Sequence, residues 1–239
     1  MSQLKSVKEK LRLINVLRLL KENYTYEELS KITGLPITVL NRYVRGKVLP
    51  SSERTRELLE LLAQYVDLPS EVYRRLHFDS RGFFDSMSVL SDTSLMSLLA
   101  EDIASRFSDL EIDKILTAAT DGIPLAVYIG REMGVDVVYA KKKKEVGIEK
   151  FYEVNYVSSA SGSLSTLYLP TWAVGKGERV LIVDDVIRSG ETQRALAELC
   201  SMAGAKPVGM LFLVSVGDIV EKLRDEYSIP VESIVTLER

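Results

Sequence analysis

Apolar positions repeat with two different periods along this chain, and the change of period marks its organisation. Over residues 4–22, LKSVKEKLRLINVLRLLKE, apolar side chains fall at 4, 7, 11, 14 and 17 with charges between them, the spacing of an amphipathic helix. Thr25 followed by Glu28 has capping-box spacing and starts a second helix near Tyr26, which stops at Gly34. Pro36 suits the first turn of a third helix. In it Ile37, Leu40 and Val44 form an apolar face, and Thr38, Asn41, Arg42 and Arg45 form another. Gly46 ends this helix, and a last amphipathic one runs over about 53–66. Residues 67–82 read as a linker with a short helical piece.

From about residue 83 the rhythm shortens. FFDSMSVL predicts an initial strand or an extended arm, and Asp92 an N-cap for TSLMSLLAEDIASRFSDL. Strand-like KILTAA, VDVVYA, RVLIVDD and PVGMLFLVSVG alternate with helical TDGIPLAVYIGREMG and TQRALAELCSMAG. The end, EKLRDEYSIPVESIVTLER, supplies a helix and a final strand. This alternation predicts a mostly parallel sheet covered on both faces, with ligands at the carboxyl ends of its strands. The fold class is therefore α/β: an all-α domain over 1–66, a linker over 67–82 and a parallel-sheet domain over 83–239.

Composition narrows the function classes. The 239 residues are 46% hydrophobic and 27% charged, as in an ordinary globular protein. No apolar run approaches the roughly 18 residues of a membrane span, and Lys and Glu interrupt the N-terminus too often for a signal peptide. The single Cys200, expected to be buried, excludes an internal disulfide. The single His77 cannot build a histidine metal cluster, and no metal site is expected from protein side chains alone. A reducing cytoplasm fits this usage. The net charge of −3 hides an asymmetry: residues 1–66 carry 12 Lys/Arg against 7 Glu, so the rest is acidic. A basic module on an acidic body points to a polyanion at the first part only.

The most informative stretch is RVLIVDDVIRSGET, residues 179–192. A buried strand ends in Asp184 and Asp185, and a short loop, Arg188, Ser189, Gly190, Glu191, Thr192, feeds a helix N-terminus. Paired carboxylates can accept hydrogen bonds from adjacent sugar hydroxyls, while loop and first-turn N–H groups cradle an anion. Ala119, Thr120, Asp121 and Gly122 form a second strand-to-helix turn that either binds an anion or is a tight turn capped by Asp121. Lys141, Lys142, Lys143 and Lys144 form a basic run that either closes over an anionic ligand or is a solvated strand end.

The 179–192 segment resembles the 13-residue signature of type I phosphoribosyltransferases, which bind phosphoribosyl pyrophosphate (PRPP). The resemblance implies that Asp184 and Asp185 take the ribose hydroxyls and Arg188–Thr192 the 5′-phosphate. It makes Ala119–Gly122 the pyrophosphate loop, Lys141–Lys144 part of a flexible loop, and 216–239 part of a small hood. Magnesium is then expected only together with PRPP. Arg188 and Glu191 depart from the family pattern, which more often has a small residue or Gly there. Glu191 repels a phosphate unless it points away, and Arg188 can offset it. The order YAKKKK…YVSSASGS…VLIVDDVIRSGET resembles most the xanthine phosphoribosyltransferase and purine-repressor branch, with archaeal orotate phosphoribosyltransferase-like regulators a second comparison.

At the other end, two short helices joined by a three-residue turn have helix-turn-helix geometry. YTYEELSKITGLPITVLNRYVRGKVLPS also resembles the lambda-repressor/Cro type of DNA-binding domain. That resemblance places Thr38, Asn41 and Arg42 at base edges and Tyr26, Arg45 and Lys47 at phosphates of double-stranded DNA. A protein-interaction module is the alternative use of the same helices. Two functions from different classes follow. One is a cytoplasmic transcription regulator that senses PRPP or a nucleotide and, as a homodimer, reads a palindromic operator. The other is an active purine or orotate phosphoribosyltransferase with a fused DNA-binding domain. No base pocket and no catalytic residue can be assigned from the sequence, and the fusion favours the regulator.

Overall fold

The computed structural model describes residues 3–158 and 162–238. It divides into two compact units, one formed by Met1–Glu71 with Ser91–Leu99, the other by Val72–Leu90 with Ala100–Arg239.

The first unit is helical. It contains α1 (Gln3–Asn23), α2 (Tyr26–Thr33), α3 (Ile37–Val44) and α4 (Ser52–Leu62). The Thr25 side chain accepts the N–H of Glu28 while Glu28 accepts the N–H of Thr25, so two helix-end donors are satisfied reciprocally. Gly34, at φ 68°, ends α2 in the left-handed region and turns the chain into α3. Leu17, Leu29, Leu40, Leu58 and Leu62 are fully or almost fully buried and form the core between the helices.

The expected apolar face of α1 is displaced. Ile14 and Leu17 are buried, but Leu4, Val7 and Leu11 are 67%, 41% and 47% exposed; Leu13, Val16, Leu19 and Leu20 are buried in their place. The reason is length. The helices packed on α1, namely α3 and α4, have 8 and 11 residues against its 21. They span about 12 and 17 Å of a roughly 31 Å rod, so one stripe cannot be covered along its whole length.

The second unit carries the sheet. The chain passes through α5 (Leu68–Arg75), a short antiparallel hairpin of β1 (His77–Phe78) and β2 (Phe84–Asp85), and α6 (Met87–Leu90). The arm expected at FFDSMSVL is thus half hairpin strand and half helix. Asp92 Oδ1 accepts the N–H groups of Ser94 and Leu95 at 3.0 Å and caps α7 (Thr93–Arg106), whose first part, Thr93–Leu99, belongs to the first unit. Then follow β3 (Lys114–Ala118), α8 (Gly122–Met133), β4 (Asp136–Ala140), an antiparallel pair of β5 (Phe151–Ser158) and β6 (Ser163–Pro170), β7 (Arg179–Ile187), α9 (Glu191–Met202), β8 (Lys206–Val216), α10 (Ile219–Tyr227) and β9 (Val231–Leu237).

Five strands form one parallel sheet in the order β4-β3-β7-β8-β9. β9 joins this sheet as an edge strand beside β8, so the 216–239 segment supplies a helix and a sheet strand rather than a separate hood. The chain leaves β3 toward one edge and β7 toward the other, which makes the β3/β7 gap the topological switch point. Pairing of β3 with β7 stops at Leu116 and Ile182, whereas β7 stays paired with β8 as far as Ile187. A crevice therefore opens on one side of the DD segment. Val180–Val183 and Phe212 are fully buried beneath it.

Gly130 lets α8 lie against the sheet: a Cβ there would sit 2.4 Å from Val137 Cγ2 and 2.9 Å from the Val135 carbonyl. Gly130→Ala is expected to cost about 1–3 kcal/mol through overpacking. Urea unfolding checks this; a midpoint equal to wild type would remove Gly130 from the packing account.

Candidate functional site

Two strand-to-helix turns meet at the switch point. A cavity of about 310 Å³ there is lined by Asp121 from the first turn, by Asp185, Val186 and Arg188–Gln193 from the second, and by Tyr156 of β5. The sequence reading missed Tyr156. Its signal was present in FYEVNYVS, where Tyr152, Val154 and Tyr156 share one face by strand alternation and Val154 is buried.

Strand alternation also divides the acidic pair. Asp184 is buried, accepts Gln193 Nε2 at 2.8 Å, and receives the Asp185 N–H at 3.1 Å. Its carboxylate fastens the first turn of α9 to the end of β7. Asp185 lines the cavity and accepts Ser86 Oγ at 2.9 Å. Burial pushes the Asp184 carboxyl well above the ordinary range, and the charge of Asp185 adds to the shift. Burial also raises Asp185; Ser86 pulls it back and the charge of Asp121 raises it further.

The phosphate-type loop is built around Gly190, the N-cap of α9, at φ 83°. A Cβ there would come within 3.0 Å of Arg194 Nη1 and 3.1 Å of Ile219 Cδ1. No side chain caps α9, and its first-turn residues Glu191, Thr192 and Gln193 line the cavity. Arg194 braces the loop by donating to the Ser189 carbonyl at 3.1 Å while both Glu226 oxygens accept from its Nε. Glu191 lines the cavity and accepts the Ser189 hydroxyl, which engages its charge locally. Arg188 is the only cation among the lining residues, and its guanidinium lies 4.8 Å from the Phe84 ring centroid.

In the other turn Asp121 makes no side-chain capping bond, so it does not act as the cap of α8. The Ala119–Thr120 peptide is cis, and the Ala119 N–H is taken by the Ala140 carbonyl at 2.9 Å. The Thr120 carbonyl accepts the N–H of Ile123 at 3.2 Å. Gly122 is buried under the site. A Cβ on it would meet Thr117 Oγ1 at 2.3 Å and Asp184 Oδ1 at 2.6 Å.

Lys141–Lys144 are not among the cavity residues. Lys141 pairs with Glu145 at 2.5 Å and lies over the Tyr139 ring; Lys144 pairs with Glu153 and lies over Tyr168. Those carboxylates raise both ammonium pKa values. Lys142 and Lys143 are exposed. A second cavity, about 430 Å³, lies along the β4 edge among Tyr139, Phe151, Tyr168 and Trp172, with Lys141 and Glu145 at its wall. Among the described residues no group of three or more His, Cys, Asp or Glu could hold a metal ion.

In the helical unit Thr38, Arg42, Arg45 and Lys47 are exposed, and Asn41 is half-buried. Tyr26 is half-buried with Lys21 Nζ 5.0 Å from its ring centroid. Arg18 Nε donates to the Val44 carbonyl at 2.9 Å and ties α1 to the end of α3, a contact the sequence did not suggest. Among the described residues no helix is long and apolar enough to cross a membrane.

Residues 90–234 match the phosphoribosyl transferase domain family. The chain is 29% identical over 196 residues to the purine biosynthesis transcriptional repressor PurR of Bacillus subtilis, covering 81% of this chain and 67% of that protein. It is 34% identical over 155 residues to a xanthine phosphoribosyltransferase of Moorella thermoacetica, covering 61% and 76%. Adenine phosphoribosyltransferase of Rhodothermus marinus shares its fold, with TM-score 0.63 at 24% identity over 71% of this chain and 98% of that one.

The raised carboxyls of Asp184 and Asp185 hold their protons more tightly folded than unfolded. The native state therefore loses stability as pH rises from the ordinary carboxylate value through the raised ones. Asp185→Asn is expected to melt at or above the wild-type temperature near about pH 7.5, with the gap closing toward about pH 4. A variant less stable than wild type at neutral pH would contradict this charge balance.

Proposed function

The chain belongs to the phosphoribosyl transferase family, and from that premise we propose that it is a DNA-binding transcription regulator whose sheet-bearing domain senses PRPP or a nucleotide. Its regulated genes would belong to nucleotide metabolism. The observation that carries this reading is the extent of the match to the purine repressor. An alignment over 81% of the chain is longer than the sheet-bearing part and has to run into the helical part, whereas the match to the Moorella enzyme covers 61%.

In this reading Asp185 accepts a ribose hydroxyl, Asp184 sets the turn behind it, and the N–H groups of 188–192 hold the 5′-phosphate. The 119–122 turn lies beside the pyrophosphate, with Asp121 at its edge. A magnesium ion arriving with PRPP fits the donor set, because the charge of Asp121 already raises the carboxyl of Asp185 and a cation relieves it. The lining offers Asp121, Asp185 and Glu191 against Arg188 alone, which is a poor match for a bare polyphosphate. Removal of magnesium is therefore expected to weaken PRPP binding by more than about tenfold in calorimetry. Equal affinity in a chelator would contradict it.

Residues 1–66 supply the DNA-binding domain in this proposal, with Thr38, Asn41 and Arg42 reading bases and Tyr26, Arg45 and Lys47 touching phosphates. Two copies paired as a homodimer would meet the half-sites of a palindrome. Asn41→Ala and Arg42→Ala are each expected to weaken binding to the protein's own upstream DNA by roughly tenfold or more in gel-shift titrations. Unchanged sequence-specific binding in both would remove α3 as the reading helix. The second reading, an active phosphoribosyltransferase, is favoured by the identity with the xanthine enzymes. Sustained pyrophosphate release from PRPP, magnesium and a nucleobase would select it.

A further inference from the structure

Between Glu71 and Ser91 the chain leaves the helical unit and then returns to it. This excursion carries the β1–β2 hairpin and α6, and it ends on the ribose-phosphate site. Ser86 Oγ donates to Asp185 Oδ2 at 2.9 Å, and Ser86 is itself buried. The Arg188 guanidinium lies 4.8 Å from the Phe84 ring centroid and 5.8 Å from that of Phe83, within cation–π range.

The hairpin is held together by its own contacts. Asp79 Oδ1 accepts the N–H groups of Arg81 and Phe83 at 2.9 Å, and the Asp79 N–H returns to the Phe83 carbonyl at 2.7 Å. Phe84 packs on Phe78 across the strand pair, with ring centroids 5.7 Å apart. Beyond it, the Ser86 carbonyl accepts the N–H groups of Val89 and Leu90 and starts α6.

Both points of attachment use groups that a ribose-phosphate ligand needs. The hydroxyl of Ser86 on Asp185 is chemically equivalent to a sugar hydroxyl on that carboxylate. Arg188, the cation of the cavity lining, faces aromatic rings. We infer that the 77–86 hairpin is a latch that occupies the ligand's own binding groups and is displaced when a sugar phosphate takes Asp185 from Ser86 and Arg188 from Phe84. This rests on the reading of Asp185–Thr192 as a ribose-phosphate site. Because the latch is joined to the helical unit at both ends, its release is transmitted through the chain itself. The ligand's apparent affinity is reduced by the fraction of molecules that are latched, so weakening the latch tightens binding.

The test uses the full chain, PRPP with magnesium, and the variants Ser86→Ala and Phe84→Leu, each checked for folding by circular dichroism. Hydrogen exchange over residues 77–90 should speed up when PRPP–magnesium binds the wild type. It should already be faster in both ligand-free variants. Calorimetry should show both variants binding PRPP–magnesium more tightly than wild type, roughly three- to tenfold. Wild-type binding that leaves exchange over 77–90 unchanged, with variants that bind no tighter, overturns the latch and leaves the site reading intact. Absence of PRPP–magnesium binding in wild type and both variants overturns the site reading, and the latch with it.

Discussion

The separation of β3 from β7 beyond Leu116 and Ile182 is the constraint on which the rest of the site depends. A parallel sheet whose connections leave two neighbouring strands in opposite directions cannot fill the gap past their last shared pair. β7 runs on for five residues with β8 as its partner there, and those residues include both aspartates. The helices that follow β3 and β7 start beside the crevice, at Gly122 and Glu191. Gly122 keeps the start of α8 close to Asp184, and Gly190 supplies the left-handed turn that starts α9.

This geometry forces carboxylates into a poorly solvated place, and the structure compensates each differently. Asp184 is satisfied inward by Gln193 and the Asp185 N–H, which converts a costly charge into a fixed joint between β7 and α9. Asp185 is satisfied by Ser86, a partner from the excursion that begins and ends in the helical unit. The raised proton affinity of both shows that compensation is incomplete. A site in that state favours hydroxyl donors and a cation over a bare anion. Lys141 and Lys144 pair with Glu145 and Glu153 outside the cavity.

Much of this was legible in the sequence because it is local. The Thr25–Glu28 box, the Gly34 turn and the Asp92 cap are set by residues two to four apart, and the sheet strands announce themselves as apolar runs. The DD segment was legible because a buried strand seldom ends in two acids. What was not legible depends on partners distant in sequence. The core face of α1 is chosen by which helices cover it, not by its own periodicity. Glu153 becomes a neighbour of Lys144 only after the chain folds back along β5. Ser86 reaches Asp185 across 99 residues, and no spacing rule connects them. The two aspartates read as equivalent partners for a diol, yet strand alternation gives them opposite tasks.

The central claim is that a ribose phosphate at Asp185 is reported to DNA. Fluorescence anisotropy of the protein's own upstream DNA, titrated with and without PRPP–magnesium, tests it most directly in wild type and Asp185→Asn. The account predicts that PRPP shifts the wild-type dissociation constant by about fivefold or more, in either direction, and leaves that of Asp185→Asn unmoved. A wild-type affinity indifferent to PRPP, or a shift that survives intact in Asp185→Asn, would contradict it.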